Sequence, residues 1–218
     1  MFRLIVFDLD GTLIDSRRDI ADAANALLQS CGADPLPEAR IGGMVGDGAA
    51  TLVARAFSAS GIERPADALE RYLAFYATRL LTHTRPYPGI PEVLQSLSAA
   101  ATLAVLTNKP LAATREILEG LDLARYFSPS AVVGGDGPLG RKPDPSALRQ
   151  LATAAGAPLE ATLLVGDSII DWRTARAAPA AICMARYGFG FDAFPADQLG
   201  PVDRVIDGPL DLLQVLKD

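Results

Sequence analysis

The chain has 218 residues, of which 50% are hydrophobic, enough to bury one substantial core and a smaller second unit. Its 20 basic and 26 acidic residues give a net charge of −6. This balance argues against a wide nucleic-acid-binding surface but allows a small anionic ligand to bind locally. Cys31 and Cys183 are far apart and His83 is the only histidine, so we expect neither a disulfide framework nor a structural zinc site.

The amino-terminal segment predicts a buried strand that ends in two carboxylates. The chain enters this strand without a signal-type segment and has no 18-residue apolar stretch, so we expect a cytoplasmic protein that does not associate with membranes. Asp8 and Asp10 follow the apolar run 4–7, and the two-residue period of a strand points both side chains the same way. Two like charges held together indicate a bound cation or a catalytic task, the alternative being a simple turn cap.

Residues 16–81 follow a helical pattern. No strand pattern interrupts them, and Gly32 is placed to end the first helix. We therefore predict an all-α cap domain of about four helices over residues 16–81, inserted into an α/β core formed by residues 1–15 and 82–218. Three apolar stripes at helical spacing support it: Ile20, Ala24, Leu27, Leu28 and Cys31; Leu52, Val53, Ala56 and Phe57; Leu69, Leu73, Tyr76 and Leu80.

From Pro86 onward, short apolar strands alternate with helices. This alternation is typical of right-handed βαβ units and of a parallel sheet covered on both faces, so we predict an α/β fold with a Rossmann-like core. The stretch 189–201 is expected to be an ordinary long loop. The predicted strands are 103–106, 131–133, 163–165, 181–184 and 205–206, and the predicted helices are 111–118, 144–155, 170–178 and 210–216.

Polar residues follow the later strands at their carboxyl ends, where open parallel sheets bind ligands. Thr107 and Asn108 follow one strand and would either bind an anion at a helix start or merely cap that helix. Lys142 lies in a loop rich in glycine and proline, suited to a phosphoryl oxygen unless it is simply solvated. Asp167 and Asp171 follow another strand, where acidic residues also serve as helix caps.

Taken together, the polar residues at these strand ends favour a catalytic site over simple helix caps. Asp8, Asp10 and Asp167 would form an oxygen-rich pocket of the kind that Mg²⁺ prefers. Thr107 and Lys142 would supply donors for an anion beside it. A metal, an anion clamp and a further carboxylate are the parts of a phosphoryl-transfer site.

Four motifs at these positions resemble the signatures of the haloacid dehalogenase superfamily of phosphohydrolases. They are residues 7–12, Thr107-Asn108, Lys142-Pro143 and residues 166–171. Within the superfamily the chain is similar to bacterial phosphoglycolate phosphatases, in the strings at 45–49, 83–89, 106–110 and 134–136.

One position departs from that family. Pro179 stands where such proteins usually carry a glycine after a helix end. Since proline is unsuited to a left-handed helix terminator, we expect a changed turn after Ala178.

The resemblance implies a catalytic role for four residues. Asp8 would attack phosphorus and form an aspartyl-phosphate. Asp10 would protonate the departing alkoxide and then activate the water that hydrolyses the intermediate. Thr107 and Lys142, with Asn108 beside them, would bind the phosphoryl group, and Lys142 would also help keep Asp8 ionised.

The resemblance also implies Mg²⁺ as the cofactor. Asp8 and Asp167 would bind it through carboxylate oxygens and Asp10 through its backbone carbonyl, with Asp171 as a ligand or a close neighbour. A small phosphorylated metabolite would be the partner, with the protein a monomer or a homodimer.

The cap would select the leaving group. The Gly46–Gly48 turn would bring backbone N–H groups to a small carboxylate, or would only connect two helices. Arg17, Arg18 and Arg55 are other conceivable carboxylate partners. Phosphoglycolate is the first substrate hypothesis. The alternatives are another small-metabolite phosphatase, a pyrophosphatase, a β-phosphoglucomutase-like phosphotransferase or a non-catalytic binding module, and Asp10 argues against a dehalogenase.

Overall fold

In a computed structural model of the protein, which describes residues 2–216, a parallel sheet carries helices on both faces. The strands within this range are β1 (Leu4–Phe7), β2 (Ile14–Asp15), β3 (Arg85–Pro86), β4 (Thr102–Leu106), β5 (Val132–Val133), β6 (Thr162–Gly166), β7 (Ala181–Ala185) and β8 (Arg204–Ile206). Six of them form the sheet in the order β5-β4-β1-β6-β7-β8, while β2 and β3 form a separate antiparallel pair. The predicted α/β fold class is confirmed.

In the described range, helices alternate with the sheet strands after Pro86 as predicted, with one further helix at Ile90–Leu97 that was not predicted, and four successive helices lie between β2 and β3. None of the described helices is long and apolar enough to span a lipid bilayer. They are α1 (Arg17–Ser30), α2 (Glu38–Gly42), α3 (Ala49–Ser60), α4 (Ala68–Ala77), α5 (Ile90–Leu97), α6 (Leu111–Gly120), α7 (Ser146–Ala154), α8 (Ile169–Ala177) and α9 (Leu212–Val215).

The central strand β1 sends its side chains alternately into two buried clusters. Ile5 and Phe7 pack with α5, α6 and α9, whereas Leu4 and Val6 pack with α7 and α8. All four side chains are almost fully buried, and burying one such side chain contributes roughly 1.5–3 kcal/mol. The strand is therefore held from both faces, which fixes the position of whatever follows it.

The register of the sheet brings the ends of its central strands level. Phe7 at the end of β1 pairs with Val105 of β4 on one side and with Val165 of β6 on the other. Because the three strands are parallel, the residues after them emerge at one edge. Asp8 and Asp167 are therefore neighbours.

The helices α1 to α4 lie in the chain between β2 and β3, and a buried carboxylate joins the two ends of this segment. Asp19 in the first turn of α1 accepts hydrogen bonds from the backbone N–H of His83 and from the backbone N–H and hydroxyl of Thr84, at 2.7–3.0 Å. Gly32 follows α1 with a φ of 80°, as predicted for the residue that ends this helix. The short antiparallel pair of β2 and β3 was not predicted.

The expectation of a changed turn after Ala178 is wrong. Pro179 has a φ of 29°, in the left-handed region that favours glycine. The N–H of Ala180 donates to the carbonyl of Ala175, which is one of the two hydrogen bonds of a Schellman turn. The other bond would come from the N–H that proline lacks. The helix therefore ends in the left-handed turn that glycine usually forms, and Pro179 is strained in that conformation.

Candidate active site

Three buried carboxylates meet at the carboxyl edge of the sheet. Asp8 follows β1, Asp167 follows β6, and Asp171 lies in the first turn of α8. One oxygen from each lies within 4.8 Å of the other two, and the three residues are between 0% and 6% exposed. This cluster could hold a metal ion.

Glycines allow the chain to close around Asp167. A Cβ at Gly11 or at Gly188 would overlap atoms of the Asp167 side chain. The N–H of Gly190 donates a hydrogen bond of 2.7 Å to Oδ2 of Asp167. The interpretation of residues 189–201 as an ordinary loop is therefore wrong for its first part, which holds a site residue and continues into two short 3₁₀ turns, Phe191–Ala193 and Ala196–Gln198.

Lys142 is buried between two of the carboxylates. Its Nζ lies 2.8 Å from Oδ1 of Asp8 and 2.6 Å from Oδ1 of Asp171. Oδ2 of Asp171 accepts hydrogen bonds from the backbone N–H and the hydroxyl of Ser168, at 3.1 and 2.7 Å. Both oxygens of Asp171 are therefore already bound by protein donors, and the carboxylate orients the Lys142 ammonium.

The charges of this cluster do not balance within the protein. Burial, opposed in part by Lys142 and assisted by Asp171 and Asp10, raises the pKa of Asp8 to about 7. Burial and the neighbouring charges of Asp171 and Asp8 raise the pKa of Asp167 well above its usual value. Burial alone would lower the pKa of Lys142, but Asp171 and Asp8 raise it. Three carboxylates and one ammonium leave a formal charge of −2, which a divalent cation would neutralise.

Asp10 lies next to a lysine that the sequence analysis did not select. Nζ of Lys109 lies 3.0 and 2.8 Å from the two carboxylate oxygens of Asp10, and the hydroxyl of Ser16 donates to Oδ1 at 2.5 Å. The Lys109 side chain is 5% exposed. Its position directly after Thr107 and Asn108, at a strand end, was the signal that could have identified it.

Asn108 joins the loop before α3 to the loop that carries Lys142. Its side-chain amide donates to the backbone carbonyl of Gly46 at 2.8 Å and to that of Lys142 at 2.9 Å. Thr107 is also buried, and its hydroxyl oxygen accepts the backbone N–H of Lys109 at 3.2 Å. The Thr107 hydroxyl proton is left available for another acceptor.

A cavity lies between the sheet edge and the helices α1, α3 and α4, and Asp8, Asp10 and Thr107 open into it, whereas Lys142, Asp167 and Asp171 are not among its lining residues. Its volume is about 50 Å³, roughly the space of four waters. The lining is apolar toward the helices and polar toward the sheet. It comprises Asp8, Asp10, Ile20, Val45, Gly46, Gly48, Ala49, Leu52, Tyr72, Leu73, Tyr76, Thr107, Asn108, Lys109 and Pro110.

The three arginines considered as carboxylate partners are not among the lining residues. Each faces an acidic side chain: Arg17 lies 3.3 Å from Asp15 and 3.2 Å from Glu38, Arg18 lies 3.9 Å from Asp22, and Arg55 lies 2.6 Å from Asp47. Gly46 and Gly48, by contrast, both line the cavity.

The family model for haloacid dehalogenase-like hydrolases matches residues 5–185 of the chain. This range includes Asp8, Asp10, Thr107, Lys142 and Asp167.

Curated relatives are similar over most of their length. The phosphoglycolate phosphatase of Rhodospirillum rubrum is 42% identical over 209 residues, with 92% of this chain and 85% of the relative covered. The phosphoglycolate phosphatase of Agrobacterium fabrum is 38% identical over 209 residues, with 94% and 88% covered. Among solved structures, a protein from Haemophilus somnus described as a predicted phosphoglycolate phosphatase superimposes with a TM-score of 0.91 at 30% identity, covering 99% of this chain and 98% of that one.

Proposed function

The chain belongs to the haloacid dehalogenase-like hydrolases, and on that basis we propose that it hydrolyses phosphoglycolate through an aspartyl-phosphate on Asp8. The observation that carries the proposal is the position of Asp8, which lies 2.8 Å from the Lys142 ammonium and within 4.8 Å of an Asp167 oxygen, and which also lines the cavity. The names of the relatives, at 38–42% identity, support the choice of substrate.

Asp8 supplies the nucleophile. A carboxylate oxygen attacks phosphorus, the bond from phosphorus to the leaving oxygen breaks, and the phosphoryl group is transferred to Asp8. Attack requires the ionised carboxylate. Lys142 favours that form from 2.8 Å away, while burial opposes it.

Asp10 acts as the general acid in the first step and as the general base in the second. In its protonated form it donates a proton to the departing alkoxide, and in the second step the carboxylate so formed takes a proton from the water that attacks the aspartyl-phosphate. Ser16 and Lys109 hold its carboxylate from two sides, so the group that transfers the proton is fixed in position before substrate binds.

The residues present fit Mg²⁺. The donor set consists of oxygens, with neither thiolate nor imidazole in the carboxylate cluster, and the −2 formal charge of the cluster matches the charge of the ion. Asp8 and Asp167 would hold the ion through carboxylate oxygens and Asp10 through its backbone carbonyl. We assign Asp171 to orienting Lys142, since its two oxygens are already bound. When bound, the cation stabilises negative charge on the phosphoryl oxygens.

Thr107, Asn108 and Lys142 form the proposed phosphoryl clamp. The Thr107 hydroxyl and the Lys142 ammonium donate to non-bridging oxygens as negative charge develops on them. Asn108 follows Thr107 in the chain and donates to the Lys142 carbonyl, which links the two sides of the clamp.

We further propose that residues 16–81 form a cap over this core. The turn at Gly46–Gly48 and the apolar side chains of α3 and α4 cover the cavity. Covering the site excludes bulk water, which strengthens the charged contacts beneath.

A substrate panel tests the proposal. With Mg²⁺ present, we expect kcat/KM for phosphoglycolate to exceed that for pyrophosphate and for hexose phosphates by about tenfold or more. Asp8→Asn should reduce turnover below about 1% of wild type, while Asp22→Asn, the same chemical change at an exposed carboxylate, should not. A hexose phosphate or pyrophosphate preferred by a similar factor would contradict the substrate, and residual Asp8→Asn turnover would contradict the nucleophile.

A further inference from the structure

The cavity is lined by a buried lysine, Lys109, to which the proposed reaction gives no role in binding the phosphoryl group. Of the cavity-lining residues in the described part of the chain, Lys109 is the only lysine or arginine. Its side chain is 5% exposed, and its Nζ lies 4.6 Å from the centroid of the Tyr76 ring, which comes from α4. A lysine is rarely buried to this extent without an anionic partner, and the partner that the protein supplies is the Asp10 carboxylate.

The position of Lys109 relative to Asp10 places it beside the leaving group. A proton donor must come within about 3 Å of the oxygen that it protonates. The Nζ of Lys109 lies 2.8–3.0 Å from the same Asp10 oxygens. In phosphoglycolate the carboxylate is separated from the leaving oxygen by one carbon, so a substrate that engages Asp10 brings its carboxylate to the ammonium.

We propose that Lys109 determines specificity by binding the carboxylate of the substrate. This inference rests on the proposed function and identifies the side chain that recognises the carboxylate of the leaving group. The Lys142 ammonium lies between Asp8 and Asp171, so it serves the phosphoryl end. The two lysines thus divide the two anionic ends of the substrate between them.

Tyr76 supports this assignment from the cap side. It is 5% exposed, and its hydroxyl has no hydrogen-bond partner within the described residues. Burial and the nearby charges of Asp10 and Asp19 raise the pKa of Tyr76 well above its usual value, so the hydroxyl stays protonated and remains a donor. Its ring also contacts the ammonium in a cation–π geometry. A hydroxyl donor and a cation on neighbouring lining residues of one cavity are suited to binding one carboxylate.

The test compares phosphoglycolate with 2-hydroxyethyl phosphate, which has nearly the same size but a hydroxyl in place of the carboxylate. In the wild type, kcat/KM should favour phosphoglycolate. In Lys109→Met that preference should fall by about 10- to 100-fold, the range expected for a lost charge-assisted hydrogen bond. A residue that only positions Asp10 would lower both values by the same factor and leave the preference unchanged, which would overturn the proposal.

Two further variants complete this comparison. Lys109→Arg keeps the positive charge but not the shape of the side chain, so it should retain more of the preference than Lys109→Met does. Arg18→Met removes one positive charge from an exposed side chain and should leave the preference at the wild-type value. A loss of preference in Arg18→Met equal to that in Lys109→Met would show a general charge effect and would overturn the assignment.

A binding measurement covers the case in which Lys109→Met is inactive on both substrates. In the Asp8→Asn background, calorimetry with Mg²⁺ should give a Kd ratio that favours phosphoglycolate, and adding Lys109→Met should remove it. A ratio that survives the second substitution would overturn the assignment of Lys109. If the wild type itself shows no preference for phosphoglycolate, the proposed substrate fails instead, so the two failures are distinguishable.

Discussion

Gly11 and Asp167 approach each other so closely that a Cβ on Gly11 would overlap the Asp167 carboxylate. Gly11 also has a φ of 87°, so the turn after the Asp8–Asp10 segment needs glycine for two separate reasons, space and conformation. Asp167 is one of the two proposed carboxylate ligands of the metal. The turn therefore determines whether the carboxylate cluster can form.

Gly11→Ala should abolish activity, and Gly32→Ala is its matched control. Gly32 has a similar φ of 80° but has nothing within 4 Å of an added Cβ. Both substitutions carry the conformational cost, about 1–2 kcal/mol. Only Gly11→Ala should displace Asp167, so kcat/KM should fall by at least about 100-fold there and stay near wild type in Gly32→Ala. Equal activity in the two variants, measured after both are shown to fold, would contradict the role of this contact.

Mg²⁺ should stabilise the protein more at high pH than at low pH. The folded pKa of Asp8 is raised from 3.8 to about 7 and that of Asp167 is also raised. At a pH between 3.8 and about 7, Asp8 is protonated in the metal-free folded state but ionised in the unfolded chain. The free energy of unfolding of the metal-free protein is therefore highest below the unfolded pKa and falls as pH rises through the folded pKa.

The metal requires the ionised carboxylates, so it competes with these protons. The increase in Tm on adding Mg²⁺ should thus grow from about pH 5 to about pH 8. Thermal unfolding with and without Mg²⁺ measures this difference, and in Asp8→Asn it should be smaller at every pH. A Tm increase that is the same at both pH values would contradict a metal site built from Asp8 and Asp167.

Pro179→Gly should stabilise the fold. A residue held at an unfavourable φ costs about 1–3 kcal/mol, and glycine would both relieve this cost and supply the N–H for the second Schellman hydrogen bond. The greater freedom of glycine in the unfolded chain offsets about 0.4–1 kcal/mol. We expect a net gain of the order of 1 kcal/mol, seen as a rise in Tm of about 2–4 °C. A lower Tm in Pro179→Gly would show that the proline is not strained.

Much of the architecture follows from short-range patterns that the sequence displays directly. Continuous apolar runs such as 4–7 and 103–106 predict buried parallel strands, and the observed sheet strands agree with the predicted ones to within two residues at each end. The pair formed by Ile14–Asp15 and Arg85–Pro86 was missed because two residues are too few to display a period.

The contacts within the site were less predictable, because they join residues far apart in the chain. The pairing of Lys109 with Asp10 spans 99 positions, and a lysine after a strand is usually solvated. Gly190 and Asp167 meet through a loop without any periodic pattern. The turn at Pro179 was predicted wrongly because local conformational preference favours another geometry, and the hydrogen bond from Ala180 to Ala175 keeps the helix end in place.

The most direct test of the central proposal is to trap the phosphorylated enzyme. Wild-type protein mixed with Mg²⁺ and phosphoglycolate and quenched in acid should carry a phosphoryl group on the peptide that contains Asp8, identified by mass spectrometry. The group should be absent from Asp8→Asn and should disappear from wild type as substrate is exhausted. Release of phosphate by the wild type with no phosphorylated peptide at any quench time, or with the group on another residue, would contradict the account.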